Sequence, residues 1–244
     1  MIHDGLNGTN TQTIHSFLLI GQSNMAGRGT IGDVPPIEND NCHMLRMGRW
    51  QKMREPINPD RGIFEGTYRS GIGLGASFAD TIATRLNRKV GLIPCADGGT
   101  KIEQWMPGEL LFDHAVMMTR LAMRTSTLSG ILWHQGESDC DSDENLLAHR
   151  EKFKVMITAL RRELGAEELP LLIGELSHCY DPRSKVNLRS DAMNDAYHAL
   201  ATELPNCAVI SAEGLSMKPD GIHFDAASQR IFGIRFADAY LTLA

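Results

Sequence analysis

A serine, a histidine and an aspartate are the residue types that together turn a hydroxyl into a nucleophile, and this chain holds all three in telling surroundings. Ser23 lies in "FLLIGQSNMAGRG", Phe17 to Gly29, where an apolar run breaks directly into a polar, glycine-flanked turn. Near the other end, "KPDGIHFDAASQR" places Asp220 three residues before His223 in a Pro/Gly turn. A serine hydroxyl is weakly nucleophilic until a base takes its proton, and an imidazole with an unperturbed pKa of about 6.5 suits that task. A carboxylate bonded to the other ring nitrogen holds the tautomer and stabilises the imidazolium formed on attack, a contact that the D-x-x-H spacing makes easy. The charge that develops on an ester oxygen needs N–H donors aimed at it. The Ser23 N–H, the Gly98-Gly99 turn and the Gln135 amide are the candidates, and Glu137 in "WHQGESD" is a rival carboxylate for the histidine.

These residues must be brought together by the elements around them. Apolar runs of strand length occur at 14–21, 89–96, 129–136, 169–176 and 206–212, each nearly continuous, as strands covered on both faces are. Helical periodicity lies between them. Ile72, Ala76, Ala79, Ala83 and Leu86 line one face, Phe153, Ile157 and Leu160 a second, and Leu188, Ala192, Ala196 and Leu200 a third; Ile231, Ile234, Phe236, Ala239 and Leu243 suggest a closing helix. Alternating strands and helices predict a parallel sheet with helices on both faces, because parallel neighbours need crossover connections. The expected fold is a three-layer α/β/α sandwich forming one domain over 1–244. In open parallel sheets ligands bind beyond the carboxyl ends of the strands, where Ser23, "DGGTKIEQW", "WHQGESD" and "ELSHCYDPRS" all fall. The long interruption from Arg28 to Gly71 and the "HCYDPRSK" segment are expected to shape the site.

Composition narrows the partners. A formal charge of -6 carries no cationic footprint for nucleic acid or an anionic membrane. Five cysteines, Cys42, Cys95, Cys140, Cys179 and Cys207, include no CxxC pair, which argues against a disulfide framework or a thiolate zinc site. His134 and Glu137 lack a third ligand at metal spacing, so neither a metal nor another cofactor is expected. The N-terminal stretch has neither the charged start nor the apolar run of a signal peptide, and no segment approaches the ~20 apolar residues of a membrane span. Reduced thiols and the missing signal point to the cytoplasm. The oligomeric state is left open.

Taken in chain order, "GQSNMAG", "GGTKIEQW", "WHQGESD" and "DGIHFD" resemble the motif blocks of carbohydrate esterase family six, the sialate O-acetylesterase and acetylxylan esterase group of the SGNH-hydrolase superfamily. The resemblance runs from Gln22 to Phe224. It implies a flavodoxin-like sandwich of five parallel strands and serine-dependent removal of acetyl groups from sugars, without a metal. Carried over, Ser23 is the nucleophile, His223 the base and Asp220 its orienting acid, with Glu137 permitted in that last role. Where the wider superfamily offers an Asn to the oxyanion, "HQGE" offers Gln135, as this family does. Met25 stands where the GxSxG elbow has Gly, which argues against the α/β-hydrolase fold.

Structural roles compete with each of these. Serine is a favoured helix N-cap, Asp before Gly forms turns, glycine permits positive φ, and Glu137 can serve a hydrogen bond within its loop. Trp105 and Trp133 suit either a sugar face or the core, and the core is favoured for Trp133 inside a strand. The competing functions are a superfamily esterase or thioesterase for non-sugar acyl groups, and a non-catalytic carbohydrate-binding module.

Overall fold

Each of the five apolar runs becomes a strand of one sheet. The computed structural model describes residues 13–59, 69–177, 180–181, 186–187 and 189–243. Strand β1 (Ile14–Gly21) is followed by a one-turn helix α1 (Ser23–Ala26), strands β2 (Cys42–Arg46) and β3 (Arg49–Lys52), helix α2 (Leu74–Leu86) and β4 (Val90–Pro94). A 3-10 turn at Ile102–Trp105 leads to α3 (Leu110–Met123), β5 (Ser126–His134), α4 (Asp143–Leu164) and β6 (Leu171–Gly174). The antiparallel pair β7 (Tyr180–Asp181) and β8 (Val186–Asn187) precedes α5 (Ser190–Glu203), β9 (Cys207–Ile210) and α6 (Ala226–Leu243).

The sheet has seven strands in the order β3-β2-β4-β1-β5-β6-β9, not five. The run β4-β1-β5-β6-β9 is the parallel 2-1-3-4-5 order of flavodoxin-like sheets. The two additional strands come from the Arg28–Gly71 interruption: β2 adds parallel to β4, and β3 closes the edge antiparallel to β2. Both are short, and neither is a continuous apolar run. "CHMLR" mixes buried and half-buried positions and "RWQK" is largely exposed, so an apolar-run criterion passes over them. Arg49 and Lys52 on the edge strand discourage pairing with another chain.

Successive β1 side chains enter opposite layers, as the two-residue strand period requires. Leu18 and Ile20 pack with Leu111 of α3, Phe153 and Leu160 of α4 and Tyr197 of α5. Phe17 and Leu19 pack with Phe78 and Ile82 of α2 and Phe232 and Phe236 of α6. This gives three layers, helices on both faces of the sheet. The α4 face Phe153, Ile157 and Leu160 is fully buried, each side chain stabilising the fold by about 1.5–3 kcal/mol.

Two helical faces differ from expectation. In α5 the buried apolar positions are Met193, Tyr197 and Leu200, with Ala192 and Ala196 only half-buried and Leu188 outside the described residues. In α6 Phe232, Phe236 and Tyr240 face inward, while Ile231 and Ile234 are exposed. In both helices large aromatic side chains set the rotation, since they bring the most apolar area to the core. Among the described residues no helix is long and apolar enough to cross a membrane.

Candidate active site

The ends of three adjacent strands are laced together where the candidate residues lie. Gly21 closes β1 with φ 130, and a methyl group on its Cα would run into the His134 carbonyl at the end of β5. Only glycine allows that close approach with this φ. The Gln22 N–H then donates to His134 O at 2.9 Å, and the Asp97 N–H beyond β4 donates to Gly21 O at 2.9 Å. The chain turns at once into α1, which presents Ser23.

Ser23 Oγ lies 2.9 Å from His223 Nε2, and His223 Nδ1 donates to Asp220 Oδ2 at 2.9 Å. With Nδ1–H committed to Asp220, Nε2 is the acceptor that faces the hydroxyl. Asp220 Oδ1 also accepts the backbone N–H groups of Ile222 at 3.0 Å and His223 at 2.9 Å, so one carboxylate folds the turn and aims the ring. Burial works against its charge, but the bonds from His223 and Ile222 prevail and hold its carboxyl below the ordinary range. Ser23 does not cap α1. That position is held by Gln22, and no side chain caps the helix.

Gly98 stands against Ser23: a methyl group on it would meet Ser23 Cβ at 3.5 Å and collide with the Arg28 guanidinium. Neither the Ser23 N–H nor those of Gly98 and Gly99 has an acceptor among the described residues. All three suit a new negative charge nearby. Gln135 is placed otherwise. Its side chain is fully buried, and Nε2 donates inward to Thr100 O at 2.9 Å and Asp139 Oδ2 at 2.5 Å, while Oε1 accepts from His149 Nε2 at 3.0 Å. The amide is therefore committed on every side to partners within the protein. It braces the 97–100 turn from beneath, together with Trp105 Nε1, which donates to Thr100 Oγ1 at 3.1 Å.

Burial governs the titration of this network. It raises the Asp139 carboxyl to about 6, although the bonds from Gln135 and Ile102 N–H oppose the shift, and it lowers His149 to about 3. His134, fully buried, is likewise lowered; its Nε2 donates to Glu175 O at 3.1 Å. Burial pushes the thiols of Cys42, Cys140 and Cys207 up to about 12, which keeps them protonated and unreactive. Cys179 lies outside the described residues, as does most of the "HCYDPRSK" segment. Trp105 and Trp133 are both core residues, 1% and 0% exposed, in edge-to-face contact with each other.

Glu137 does not reach the histidine. Its Oε2 accepts from Gln22 Nε2 at 2.5 Å and its Oε1 from Asn24 Nδ2 at 2.7 Å. Asn24 also donates to Ile222 O and accepts from the Phe224 N–H, each at 3.1 Å. Sequence reasoning passed over Gln22, Asn24, Asp139 and His149. The signal for the first two was their place beside Ser23 at the end of an apolar strand; the other two are polar residues in ordinary surroundings, marked only by burial.

The model of the family described as carbohydrate esterase, sialic acid-specific acetylesterase matches residues 13–242. A probable carbohydrate esterase of Arabidopsis thaliana is 30% identical over 250 residues, covering 93% of this chain and 90% of the relative. An Arabidopsis thaliana crystal structure superposes with a TM-score of 0.83 at 28% identity, covering 94% of this chain and 98% of that one. NanS superposes with a TM-score of 0.75 at 16% identity over 95% and 97% of the two chains, and so is alike in fold.

Proposed function

The chain belongs to the carbohydrate esterase family described as sialic acid-specific acetylesterase, a family of carboxylic ester hydrolases, and from that premise we propose that Ser23, His223 and Asp220 remove O-acetyl groups from saccharides through an acyl-enzyme. The observation that carries this reading is the continuous chain of hydrogen bonds from Ser23 Oγ through His223 to Asp220, with both links at 2.9 Å.

As Ser23 Oγ attacks the acetyl carbonyl, its proton passes to His223 Nε2, and the imidazolium is held by Asp220 Oδ2. The carbonyl oxygen becomes an oxyanion that takes hydrogen bonds from the Ser23 and Gly98 N–H groups, with Gly99 next in line. The C–O bond to the sugar then breaks as His223 returns the proton to the departing sugar oxygen. A water, deprotonated by the same Nε2, attacks the acetyl-serine; acetate leaves and Ser23 Oγ recovers its proton. Gln135 acts beneath the oxyanion turn, not on the oxyanion.

The alcohol side is polar. Arg28 Nη1 donates to Gly27 O at 2.9 Å with its guanidinium against Gly98, and Lys218 Nζ donates to Arg28 O at 2.9 Å. Such a rim suits a sugar hydroxyl better than a lipid chain. The substrate is of the sialate or acetylxylan type. The test is acetate release from O-acetylated sialic acid, acetylated xylan and an aryl acetate, alongside fluorophosphonate labelling mapped to Ser23. Release from at least one acetylated saccharide with labelling at Ser23 supports the reading. Labelling elsewhere, or hydrolysis of the aryl ester alone, overturns it.

A further inference from the structure

Ser23 and His223 come from opposite ends of the chain, yet the residues on either side of each are tied to one buried carboxylate. Glu137 is 6% exposed, Asn24 and Gln22 2% each. The two Glu137 oxygens take Gln22 and Asn24, the neighbours of Ser23 on both sides. Asn24 in turn holds Ile222 O and the Phe224 N–H, the neighbours of His223 on both sides. Its backbone oxygen is fixed as well, accepting from Gln229 Nε2 of α6 at 3.0 Å.

The chemistry of position 24 is demanding. Its side chain gives one N–H to a carboxylate and the other to a carbonyl, and accepts a backbone N–H on its oxygen. Only a primary amide offers two donors and an acceptor in one plane. Aspartate has no donor to give, and leucine, close in size, has none of the three.

We propose that Glu137, acting through Asn24, is a positioning residue that sets the separation of Ser23 Oγ and His223 Nε2. The inference rests on the reading of Ser23 and His223 as nucleophile and base. A displacement near 1 Å of groups aligned for attack costs about 10²-fold in rate, so a clamp on both flanks of both residues acts on kcat. It has little to act on in KM, because neither Glu137 nor Asn24 is placed to touch the substrate.

The experiment compares Asn24→Asp, Glu137→Gln and the double variant, with an aryl acetate as probe. Asn24→Asp removes both donors and sets a second carboxylate against Glu137; kcat is expected to fall about 10²-fold with KM within about twofold. In the double variant the amide at 137 donates to the carboxylate at 24, so that bond is remade with its polarity reversed while the one to Ile222 O stays lost, and kcat recovers about tenfold over Asn24→Asp, short of the parent. A role confined to folding would not produce that recovery in variants with equal melting temperatures.

If Asn24→Asp fails to fold, Glu137→Gln alone decides. The clamp predicts a loss of about tenfold in kcat with an unaltered pH profile, since the histidine keeps its own partner in Asp220. The proposal is overturned by kcat within threefold of the parent in Asn24→Asp, by no recovery in the double variant, or by a Glu137→Gln variant whose acid limb is displaced. Fluorophosphonate labelling of the parent keeps the two levels apart: without labelling at Ser23 the esterase reading itself falls, whereas labelling at Ser23 with no recovery removes the clamp alone.

Discussion

Ser23 Oγ and His223 Nε2, 200 positions apart in sequence, meet at 2.9 Å because the turn after β1 and the turn before α6 are bonded to each other on both sides of that contact. The His223 side chain is 23% exposed and Ser23 6%, so the pair meets solvent mainly through the imidazole while the bonds on both sides hold its geometry. Its surroundings lead to the following expectations.

Ser23→Ala removes only the hydroxyl, whose one hydrogen-bond partner among the described residues is His223. Folding should be unchanged by circular dichroism and melting temperature. kcat on an aryl acetate should fall by at least about 10³-fold, the residue of activity coming from oxyanion donors and binding. Activity within tenfold of the parent would exclude Ser23 as nucleophile.

Asp220→Asn should be far more damaging than Glu137→Gln. An amide at 220 that turns its NH2 toward Nδ1 selects the wrong tautomer and leaves the imidazolium unsupported, a loss of about 10⁴ in the serine-protease template. Steady-state kinetics of both variants provide the check, and a Glu137→Gln loss larger than that of Asp220→Asn would reverse the assignment.

Gly98→Ala and Gln135→Ala should separate a donor from its support. The methyl group added at Gly98 makes only an ordinary 3.5 Å contact with Ser23 Cβ and clashes with the flexible end of Arg28 alone, so the turn keeps its N–H donors in place, Arg28 moves off it, and kcat should fall no more than about tenfold with little loss of stability. Gln135→Ala strips hydrogen bonds from Thr100 O, Asp139 and His149 inside the core. Its main effect should be destabilisation of roughly 1–3 kcal/mol, read from urea unfolding. A Gln135→Ala variant of full stability and greatly lowered kcat would return the amide to the oxyanion.

Asp139→Asn should change the pH dependence of stability. The folded carboxyl, raised to about 6, binds a proton that the unfolded chain has already lost, so this group costs stability as pH rises from about 4 to 6. The amide removes that cost. The variant's stability relative to the parent should improve by up to about 3 kcal/mol between pH 4 and pH 7, with no further gain above. Parallel stability curves for the two proteins would show that Asp139 is ionised at an ordinary pKa.

What the sequence by itself determined was local. Five strands declare themselves as apolar runs because both of their faces are covered, and the alternation with helices follows from the crossovers a parallel sheet requires. Asp220 and His223 are legible as partners because three residues of one turn separate them. Ser23 is legible because a polar turn directly after a buried strand has to emerge at the sheet's carboxyl edge. The tertiary structure decided whatever depends on partners distant in sequence. β2 and β3 are too short and too polar to show as strands until β4 supplies an edge for β2 to join. The rotation of α5 and α6 was settled by which aromatic rings found core space. Glu137 and Gln135 sit two residues apart in one loop, and nothing in that loop says that one carboxylate will take Gln22 and Asn24 while the amide turns under Thr100. A hydrogen bond in the interior is worth making only where its partner also arrives desolvated, and that meeting is a property of the folded chain alone.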